Sequence, residues 1–380
     1  MRSNVPSWAT PGAALPLLFV FLATIAPTAG AQTDGRLVED WSVGVDADVL
    51  VGRPVDVAWA ADGVLHVLDS ELNCVHVFGP EGDPRGSFGA EGDGPGEFRN
   101  APSLFVDGEG ATVVVQSMPL RLVRFSSSGA VLGEVTLDDG VGGIRVVTRM
   151  EAVGVHFVYE ELQTTIGTEG MGTALRLVTF DRERGTRTVL VDHERSMGPS
   201  KRPLYEQDNP SFLGRWCMTA RGEVAYVSGF ERYEGTIVSL DGAVEREVTR
   251  EGVTARARGE DELEAIRARR LANSRTGTSR FQPSPVARVL YGVHRGPDGQ
   301  LWWMRDPGSP DDDFALVFDR FDAAGVFLGT STVDAPADLR DRRLVIEGDR
   351  LVALPVAKNA RPDDDGPAPA LLRVFRIEVD

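Results

Sequence analysis

The segment VHVFGPEG, residues 75–82, carries a short apolar strand into a tight polar turn, and five later segments repeat this pattern. The later copies are LVRFSSSG (122–129), LVTFDRERG (177–185), IVSLDG (237–242), FDRFDAAG (318–325) and VFRIEVD (374–380). A second series of turns, rich in Gly and Asp, precedes these copies at 61–63, 108–110, 152–154, 220–222, 297–299 and 347–349. Gly and Asp suit such turns because they tolerate positive φ or bond their own backbone. Two turns per unit in six units predict a repeat architecture, either a propeller or a solenoid.

The last unit lacks a strand, because the chain ends after only three of the four strands that a propeller blade needs. The early segment Leu37–Val45 alternates like a strand and stands before the first complete unit. Pairing this segment beside the C-terminal strand closes the ring and removes the unpaired edges of an open sheet. We therefore predict an all-β fold: a six-bladed β-propeller with four antiparallel strands per blade, closed by the N-terminal strand.

Composition agrees with one large repetitive domain and excludes one class of partner. The chain has 380 residues, with 57 acidic against 40 basic side chains and a net charge of −17. Affinity for nucleic acids comes largely from cationic side chains. We therefore expect no nucleic-acid partner.

The first 31 residues have the features of a secretion signal. Arg2 precedes an apolar stretch from Ala13 to Ala26 that contains Pro16, and the small residues 29–31 follow it. Such a segment is short for a bilayer span. We predict a signal peptide at 1–31, the propeller at 32–380, a periplasmic or secreted location, and no stable membrane span after cleavage; an uncleaved membrane anchor is the alternative. Nothing in the sequence indicates the oligomeric state.

Cys74 and Cys217 are the only cysteines. The repeat places them in the first and fourth blades, on opposite sides of a six-bladed ring, whereas a disulfide needs Cα atoms within roughly 7 Å. We expect two buried thiols and no disulfide. Neither cysteine has a His directly beside it in the sequence, so we expect no nucleophilic role.

The region between the first two units resembles a known family. It contains GVLHVLDS (63–70), VHVF (75–78), FGAEGDGPGEF (88–98), Pro102 and Val106-Asp107. These segments are similar to NHL-repeat propellers, and in particular to exported bacterial six-bladed β-propeller proteins. The position before the third strand, which is usually basic in that family, is Cys74. The resemblance implies the fold and no activity, because the family includes binding scaffolds as well as lyases and hydrolases.

All the long connections are expected on one face of the disc. They cover 160–174, 193–210, 252–285, 306–314 and 357–370. Long loops on one rim of a rigid scaffold usually bind something, although neutral loop growth is an alternative. Within the third connection, acidic residues followed by basic ones predict a helix at about 257–272, which either caps the channel or packs on the rim.

Two kinds of site are compatible with this rim. Oxygen ligands at the start of the inner strands would hold Ca²⁺ or another divalent cation for a metal-dependent hydrolase or lyase resembling lactonases; the candidates are Asp56, Asn100, Asp208 and Asn209. The candidate ligand-binding residues are Arg53, Asn100, Arg145, Asn209, Arg288 and His294. His294 is the one histidine of the five that we expect on an inner strand.

The acidic runs at 311–313 and 363–365 lie on equivalent loops of neighbouring blades, but they lack the alternating spacing of a calcium loop, so we interpret them as solvated surface charge. The sequence favours a binding scaffold for a protein, peptide or glycan, with no chemistry of its own. The metal-dependent enzyme is the alternative.

Overall fold

The computed structural model describes residues 31–44, 49–137, 144–167, 170–197, 203–207, 214–272, 281–308, 313–356 and 371–379. The predicted signal segment lies outside this part of the chain, apart from Ala31. Among the described residues, no helix has the length and apolar character required to cross a membrane.

The chain begins with a long strand, β1 (Ala31–Val43), and then forms one four-stranded antiparallel sheet after another. Blade 1 consists of β2 (Pro54–Trp59), β3 (Leu65–Asp69), β4 (Cys74–Phe78) and β5 (Pro84–Phe88). The short strands β6 (Ala90–Glu91) and β7 (Glu97–Phe98) lead to blade 2, which consists of β8 (Ser103–Val106), β9 (Thr112–Gln116), β10 (Arg121–Phe125) and β11 (Val131–Thr136). Blade 3 consists of β12 (Ile144–Val153), β13 (His156–Gly167), β14 (Gly170–Asp181) and β15 (Thr186–Met197).

The second half of the chain follows the same plan with longer connections. After β16 (Leu204–Tyr205), blade 4 consists of β17 (Trp216–Met218), β18 (Val224–Val227), β19 (Arg232–Val238) and β20 (Val244–Thr254). Helix α1 (Glu260–Ala272) and strand β21 (Phe281–Gln282) precede blade 5, which consists of β22 (Leu290–Arg295), β23 (Leu301–Arg305), β24 (Ala315–Phe321) and β25 (Phe327–Asp334). Blade 6 consists of β26 (Arg342–Glu347), β27 (Arg350–Pro355), β28 (Leu372–Val379) and β1. Two 3₁₀ turns, Pro297–Gly299 and Ala337–Asp341, complete the elements.

Strand β1 closes the ring as predicted. Its second half pairs antiparallel with β28, from Gly35 opposite Val379 to Val43 opposite Leu372. Its first half pairs in parallel with β25 of blade 5, so one strand joins the last two blades. The side chain of Trp41 then reaches blade 1, where its Nε1 donates a hydrogen bond to the Pro80 carbonyl at 3.1 Å.

Six hydrophobic clusters give the same blade count independently. Among the described residues, each cluster is shared by two successive blades, and the sixth packs blade 6 against blade 1. Their largest fully buried side chains include Trp216, Trp303 and Tyr159. Because both faces of every blade are covered by a neighbour, apolar runs replace the alternation of a half-exposed strand. The protein is a six-bladed β-propeller.

The tight turns between the first two strands of each blade, and between the last two strands of blades 1 to 5, lie on one face of the disc, which we call the turn face. At Gly63, for example, the backbone N–H donates to the Ala60 carbonyl at 3.0 Å and φ is 82°. Glycine adopts this left-handed conformation without the steric cost that other residues pay. At Gly82 a side chain is excluded as well, because a Cβ would lie 2.7 Å from the Trp41 ring.

The remaining connections lie on the opposite face, which we call the insertion face. In blade 3 the predicted loop 160–174 is wrong, because β13 and β14 continue their ladder from His156 opposite Asp181 to Gly167 opposite Gly170. β15 extends alongside them. A protruding three-stranded extension therefore replaces the expected loop, since continued pairing satisfies the backbone groups that a loop would leave to water.

The insertions on either side of blade 4 are held together. Arg258, whose side chain is 4% exposed, forms an ion pair with Glu206 from the preceding insertion. Arg256 pairs with Glu262 of α1 and with Asp306 of the next blade, with nitrogen–oxygen distances of 2.8 and 2.7 Å. The insertions thus form one ordered rim over blades 4 and 5.

Helix α1 packs on this rim. Its C-terminal Arg269 pairs with Asp341, and Arg270 lies over the Phe281 ring at 4.6 Å. No described residue of α1 lines the central channel. These contacts favour the rim-packing interpretation over a cap on the channel.

Candidate functional site

The axis of the ring contains a cavity of about 680 Å³. Its wall takes residues from the innermost strand of every blade, namely β2, β8, β12, β17, β22 and β26. Residues at the starts of these strands face the insertion side, and residues at their ends face the turn side, because all six strands run in the same direction through the disc. The volume suits a small molecule or one residue of a larger ligand.

Three carboxylates line the described part of the cavity, and each is held by an arginine. Asp56 accepts a hydrogen bond from Arg343 Nη2 at 2.9 Å and another from the Leu104 backbone N–H at 3.1 Å. Glu151 pairs with Arg149, and Glu347 pairs with Arg295. These acids are therefore already neutralised in the folded protein.

Polar contacts around the cavity also connect blade to blade. Asp56 joins blades 1 and 2, and Ser117 Oγ of blade 2 donates to the Val147 carbonyl of blade 3. Arg149 of blade 3 donates to the Trp216 carbonyl of blade 4 at 2.9 Å and stacks on the Trp216 ring. The other three junctions are bridged by Val293 N–H to Gly214 O, Gly348 N–H to Arg295 O, and Arg343 to Asp56. The charged residues of the inner strands thus stabilise the ring itself.

His294, a predicted ligand-binding residue, lines this cavity from β22. Its side chain is buried and its Nε2 has no hydrogen-bond partner. Burial, and secondarily the positive charge of Arg149, lower the pKa of His294 to about 3, so the imidazole is neutral at physiological pH. The ring lies over Gly292, where a Cβ would be 2.8 Å from Nε2 and 2.7 Å from the Gly214 carbonyl oxygen.

Two further arginines, Arg340 and Arg342, lie at the insertion-face mouth of the cavity. Arg340 lies over the Phe314 ring at 4.9 Å. Arg342 Nε lies 3.6 Å from Asp338 Oδ2, and the Asp338 carboxylate also accepts two hydrogen bonds of 2.9 Å from Arg373. Burial and the neighbouring charge of Arg373 lower the pKa of Arg342.

The structure separates the predicted site residues. Asp56 and His294 line the cavity, whereas Arg53, Asn100 and Arg145 do not. Arg53 is exposed beside Ser70, to which its Nε donates at 2.8 Å, and Asn100 adopts a turn conformation with φ of 49°. Arg145 forms an ion pair with Glu161, with 3.6 Å between Nη1 and Oε2.

Arg288 lies outside the cavity wall, under the rim. It stacks on Phe230 with 4.2 Å to the ring centroid and donates to the Gly229 carbonyl at 3.3 Å. Burial lowers the pKa of Arg288 to about 10 and that of its neighbour Arg215 to about 9. Asp208, Asn209, the run at 363–365 and most of the run at 311–313 lie outside the described residues.

A different polar cluster lies on blade 1. His76 Nε2 is 3.3 Å from Asp69 Oδ2 and 3.6 Å from Cys74 Sγ. Cys74 is partly exposed, so the expectation that both thiols are buried is wrong for Cys74. Cys74 and His76 are two residues apart on β4, so their side chains lie on the same side of the strand. The sequence analysis considered only a His directly beside each cysteine and therefore missed this pair.

Asp69 organises the connection that follows β3. Its carboxylate accepts backbone hydrogen bonds from Gly52, Arg53, Glu71 and Leu72.

Cys217 is buried in blade 4, and burial raises its pKa to about 12. Neither cysteine forms a disulfide.

Sequence reasoning missed most of the charged wall. Arg149, Glu151, Arg295 and Glu347 stand on inner strands that are otherwise mainly apolar. Their charge was a sequence signal for a polar channel, because charged side chains are tolerated inside apolar strands only beside a cavity or with an ionic partner.

The described residues do not bring three His, Cys, Asp or Glu side chains into a group able to hold a metal ion. For Asp56 the reason is visible, since its two oxygens already accept from Arg343 and Leu104. Asn100 is the other predicted metal ligand among the described residues, and it does not line this cavity.

The chain is similar to several solved structures at low sequence identity. The crystal structure of a Bacteroides fragilis protein named a "putative exported protein" shares 12% identity, with 92% of this chain and 99% of that chain covered and a TM-score of 0.48. A duf4221 family member from Bacteroides vulgatus shares 11% identity, with 91% and 98% covered and a TM-score of 0.49. Virginiamycin B lyase from Staphylococcus aureus shares 8% identity, with 90% and 99% covered and a TM-score of 0.44.

No curated protein matches the chain. The similarity to NHL-repeat propellers stays a prediction. A family model described as a 6-bladed beta-propeller matches residues 46–172. This matched part covers blades 1 and 2 and much of blade 3, and the sheet order continues the same architecture through blade 6.

Proposed function

We propose that the protein is an exported binding scaffold, which takes part of a protein, peptide or glycan ligand into its central cavity from the insertion face. It performs no chemistry on that ligand. The observation that carries the proposal is the neutralisation of every described carboxylate in the cavity wall by an arginine. A carboxylate held in this way is poorly suited to act as a general base or to bind a metal ion.

The ordered rim supports the direction of entry. Loops carry function when a rigid scaffold positions them. The pairing of Arg258 with Glu206, and of Arg256 with Glu262 and Asp306, fixes three separate insertions relative to one another. On the turn face, by contrast, the strands are joined by short turns.

The metal-dependent hydrolase or lyase is less well supported. It requires oxygen ligands at the mouth, and Asp56 is engaged while Asn100 lies elsewhere. Elemental analysis of the purified chain, with thermal stability measured before and after chelation, tests this alternative. A stoichiometric divalent cation whose removal destabilises the protein would favour the enzyme.

The binding proposal is tested with immobilised oligosaccharides and a random peptide library. Two variants of the mature chain then locate the entrance for any ligand obtained. Pro307→Trp narrows the insertion-face mouth, and Ala220→Trp narrows the turn-face mouth. We expect Pro307→Trp to abolish binding and Ala220→Trp to preserve it; the reverse result, or cleavage of the bound ligand, contradicts the proposal.

A further inference from the structure

Cys74 has no partner for a disulfide within this chain. The only other cysteine, Cys217, is buried in blade 4, across the ring from blade 1. Cys74 itself is partly exposed. It is the first residue of β4 and directly follows the connection 70–73 on the insertion face, which includes the exposed residues Glu71 and Leu72. An accessible thiol of this kind can form a disulfide only with a partner from outside the chain.

The side chain of His76 provides a hydrogen-bond donor for this thiol. Its Nε2 lies 3.6 Å from Cys74 Sγ and 3.3 Å from Asp69 Oδ2. The His76 and Asp69 side chains are only 5% and 0% exposed. Cys74 is therefore the accessible end of a buried polar cluster that runs from Asp69 through His76.

The charge of Asp69 decides the direction of these hydrogen bonds. Burial alone would raise the pKa of Asp69, but hydrogen bonds from His76 and from backbone N–H groups outweigh burial and hold this pKa below its usual range. An ionised carboxylate only accepts hydrogen bonds, so His76 Nε2 carries a hydrogen. Burial opposes protonation of His76, but hydrogen bonds with Asp69 and Cys74 outweigh it and raise the pKa of His76 to about 9. The imidazole is thus mainly protonated at neutral pH.

This geometry differs from that of a catalytic triad. In a triad the acid and the nucleophile contact different nitrogens of the imidazole, so that one nitrogen can accept the proton of the nucleophile. Here Asp69 and Cys74 share Nε2, which is already a donor, and His76 therefore does not act as a general base toward Cys74. It stabilises the thiolate by its charge and by a hydrogen bond, and the thiolate is the nucleophilic form of cysteine.

We propose that Cys74 is a site of reversible modification, where a thiolate stabilised by the His76 imidazolium forms a mixed disulfide with a small-molecule disulfide. The expectation of no nucleophilic role rested on the absence of a His directly beside Cys74 in the sequence, and the fold supplies His76 instead. The inference is independent of the proposed function, because Cys74 does not line the central cavity.

The reaction is a thiol–disulfide exchange. The thiol proton passes to water, and the thiolate sulfur of Cys74 attacks one sulfur of the disulfide RS–SR. The bond between the two sulfurs of RS–SR breaks as the bond between Cys74 Sγ and one RS group forms. Cys74 is thereby oxidised to the disulfide level, while the other half of the reagent is reduced and leaves as the thiolate RS⁻.

A small disulfide suits this position better than a second copy of the chain. Two copies joined through Cys74 would bring the exposed Glu71 of each copy close to the other, on molecules that each carry a net charge of −17. Like charges at close approach disfavour association. An uncharged small disulfide meets no such repulsion.

The test uses the mature chain and the uncharged reagent bis(2-hydroxyethyl) disulfide at neutral pH, with the product identified by intact mass and peptide mapping. Cys74→Ser combined with Val244→Cys provides a reference thiol, because Val244 is exposed on β20. We expect Cys74 to react at least tenfold faster than this more exposed reference thiol, and His76→Gln to slow the reaction of Cys74 at least tenfold. An excess of a dithiol reductant should reverse the modification.

A second measurement separates thiolate stabilisation from a purely structural role of His76. A thiolate has an ultraviolet absorbance band that a thiol lacks. We expect this band at neutral pH in the wild type, its loss in Cys74→Ser and its reduction in His76→Gln. Thermal melting shows whether each variant is folded. Should His76→Gln fail to fold, the difference in absorbance between the wild type and Cys74→Ser still decides whether a thiolate is present.

Three results would overturn the assignment. They are a reaction of Cys74 no faster than that of the reference thiol, an unchanged rate in folded His76→Gln, and equal absorbance of the wild type and Cys74→Ser. A dimer linked through Cys74, in place of the mixed disulfide, would overturn the choice of a small disulfide and identify a second copy of the chain as the partner.

Discussion

Arg343 and Asp56, which are 287 residues apart along the chain, form an ion pair across the junction of blades 6 and 1, with 2.9 Å between Nη2 and Oδ1. Arg343 also donates to the Val55 carbonyl. The first complete blade is therefore tied to the last by charge as well as by the apolar cluster between them.

We expect Asp56→Asn to lower the free energy of unfolding by about 2–3 kcal/mol, because it leaves a mostly buried guanidinium without its anion. Chemical denaturation measures this change. Asp40→Asn is the control, since the pair of Asp40 with Arg376 is exposed and should contribute less than about 1 kcal/mol. Equal losses in the two variants would show that the junction pair has no special role.

The pair of His76 and Asp69 predicts a dependence of stability on pH. Burial alone would lower the pKa of His76, but hydrogen bonds with Asp69 and Cys74 outweigh burial and raise this pKa from 6.5 to about 9. A raised pKa stabilises the fold below pH 6.5, and this stabilisation is lost as pH rises through 9.

The corresponding free energy is about 3 kcal/mol. Unfolding curves between pH 6 and 9.5, roughly the interval that brackets the two pKa values, should show this loss in the wild type. We expect the loss to be much smaller in His76→Gln. An unchanged pH profile in that variant would assign the dependence to other groups.

Gly292 is predicted to resist substitution. Gly292→Ala places a Cβ against the Gly214 carbonyl and the His294 ring, so the inner strands of blades 4 and 5 must move apart. Overpacking of this kind costs about 1–3 kcal/mol. Gly108→Ala is the control, because a Cβ at this turn meets nothing within 4 Å; melting temperatures of the two variants should therefore differ.

The two thiols should react differently. Cys74 is partly exposed, while Cys217 is buried and its pKa is raised to about 12 by that burial. The thiolate is the reactive species. A chromogenic disulfide reagent should therefore modify one thiol in the native protein and both after denaturation, and Cys74→Ser should abolish the native reaction. A persistent native reaction in Cys74→Ser would contradict the burial of Cys217.

The fold was predictable from sequence because each blade is built from local information. The turn at Gly63 and its equivalents set two reversals per blade, and the apolar runs between them fix the strands. Closure followed from counting strands, since an incomplete last blade needed a partner for β28. The extension of blade 3 was missed, although the alternation of Leu162, Thr164 and Ile166 is typical of a strand.

The site was less predictable, because it depends on contacts between distant parts of the chain. Asp56 appeared free to bind a metal ion until Arg343 was placed beside it. Arg53 and Arg288 precede inner strands in the sequence, yet the backbone turns their side chains to Ser70 and Phe230. Residue type and position along a strand do not reveal such partners.

The double pairing of β1 has a consequence for how the molecule is made. Arg36 on this strand bonds Glu378, 342 positions later, so the final sheet stays incomplete until β28 has been synthesised. Closing so large a loop is entropically unfavourable, and contacts between distant positions slow folding. Blades 1 to 5 are assembled from neighbouring hairpins and can form early, while a nascent chain that is stalled before β28 would leave the second half of β1 without its antiparallel partner.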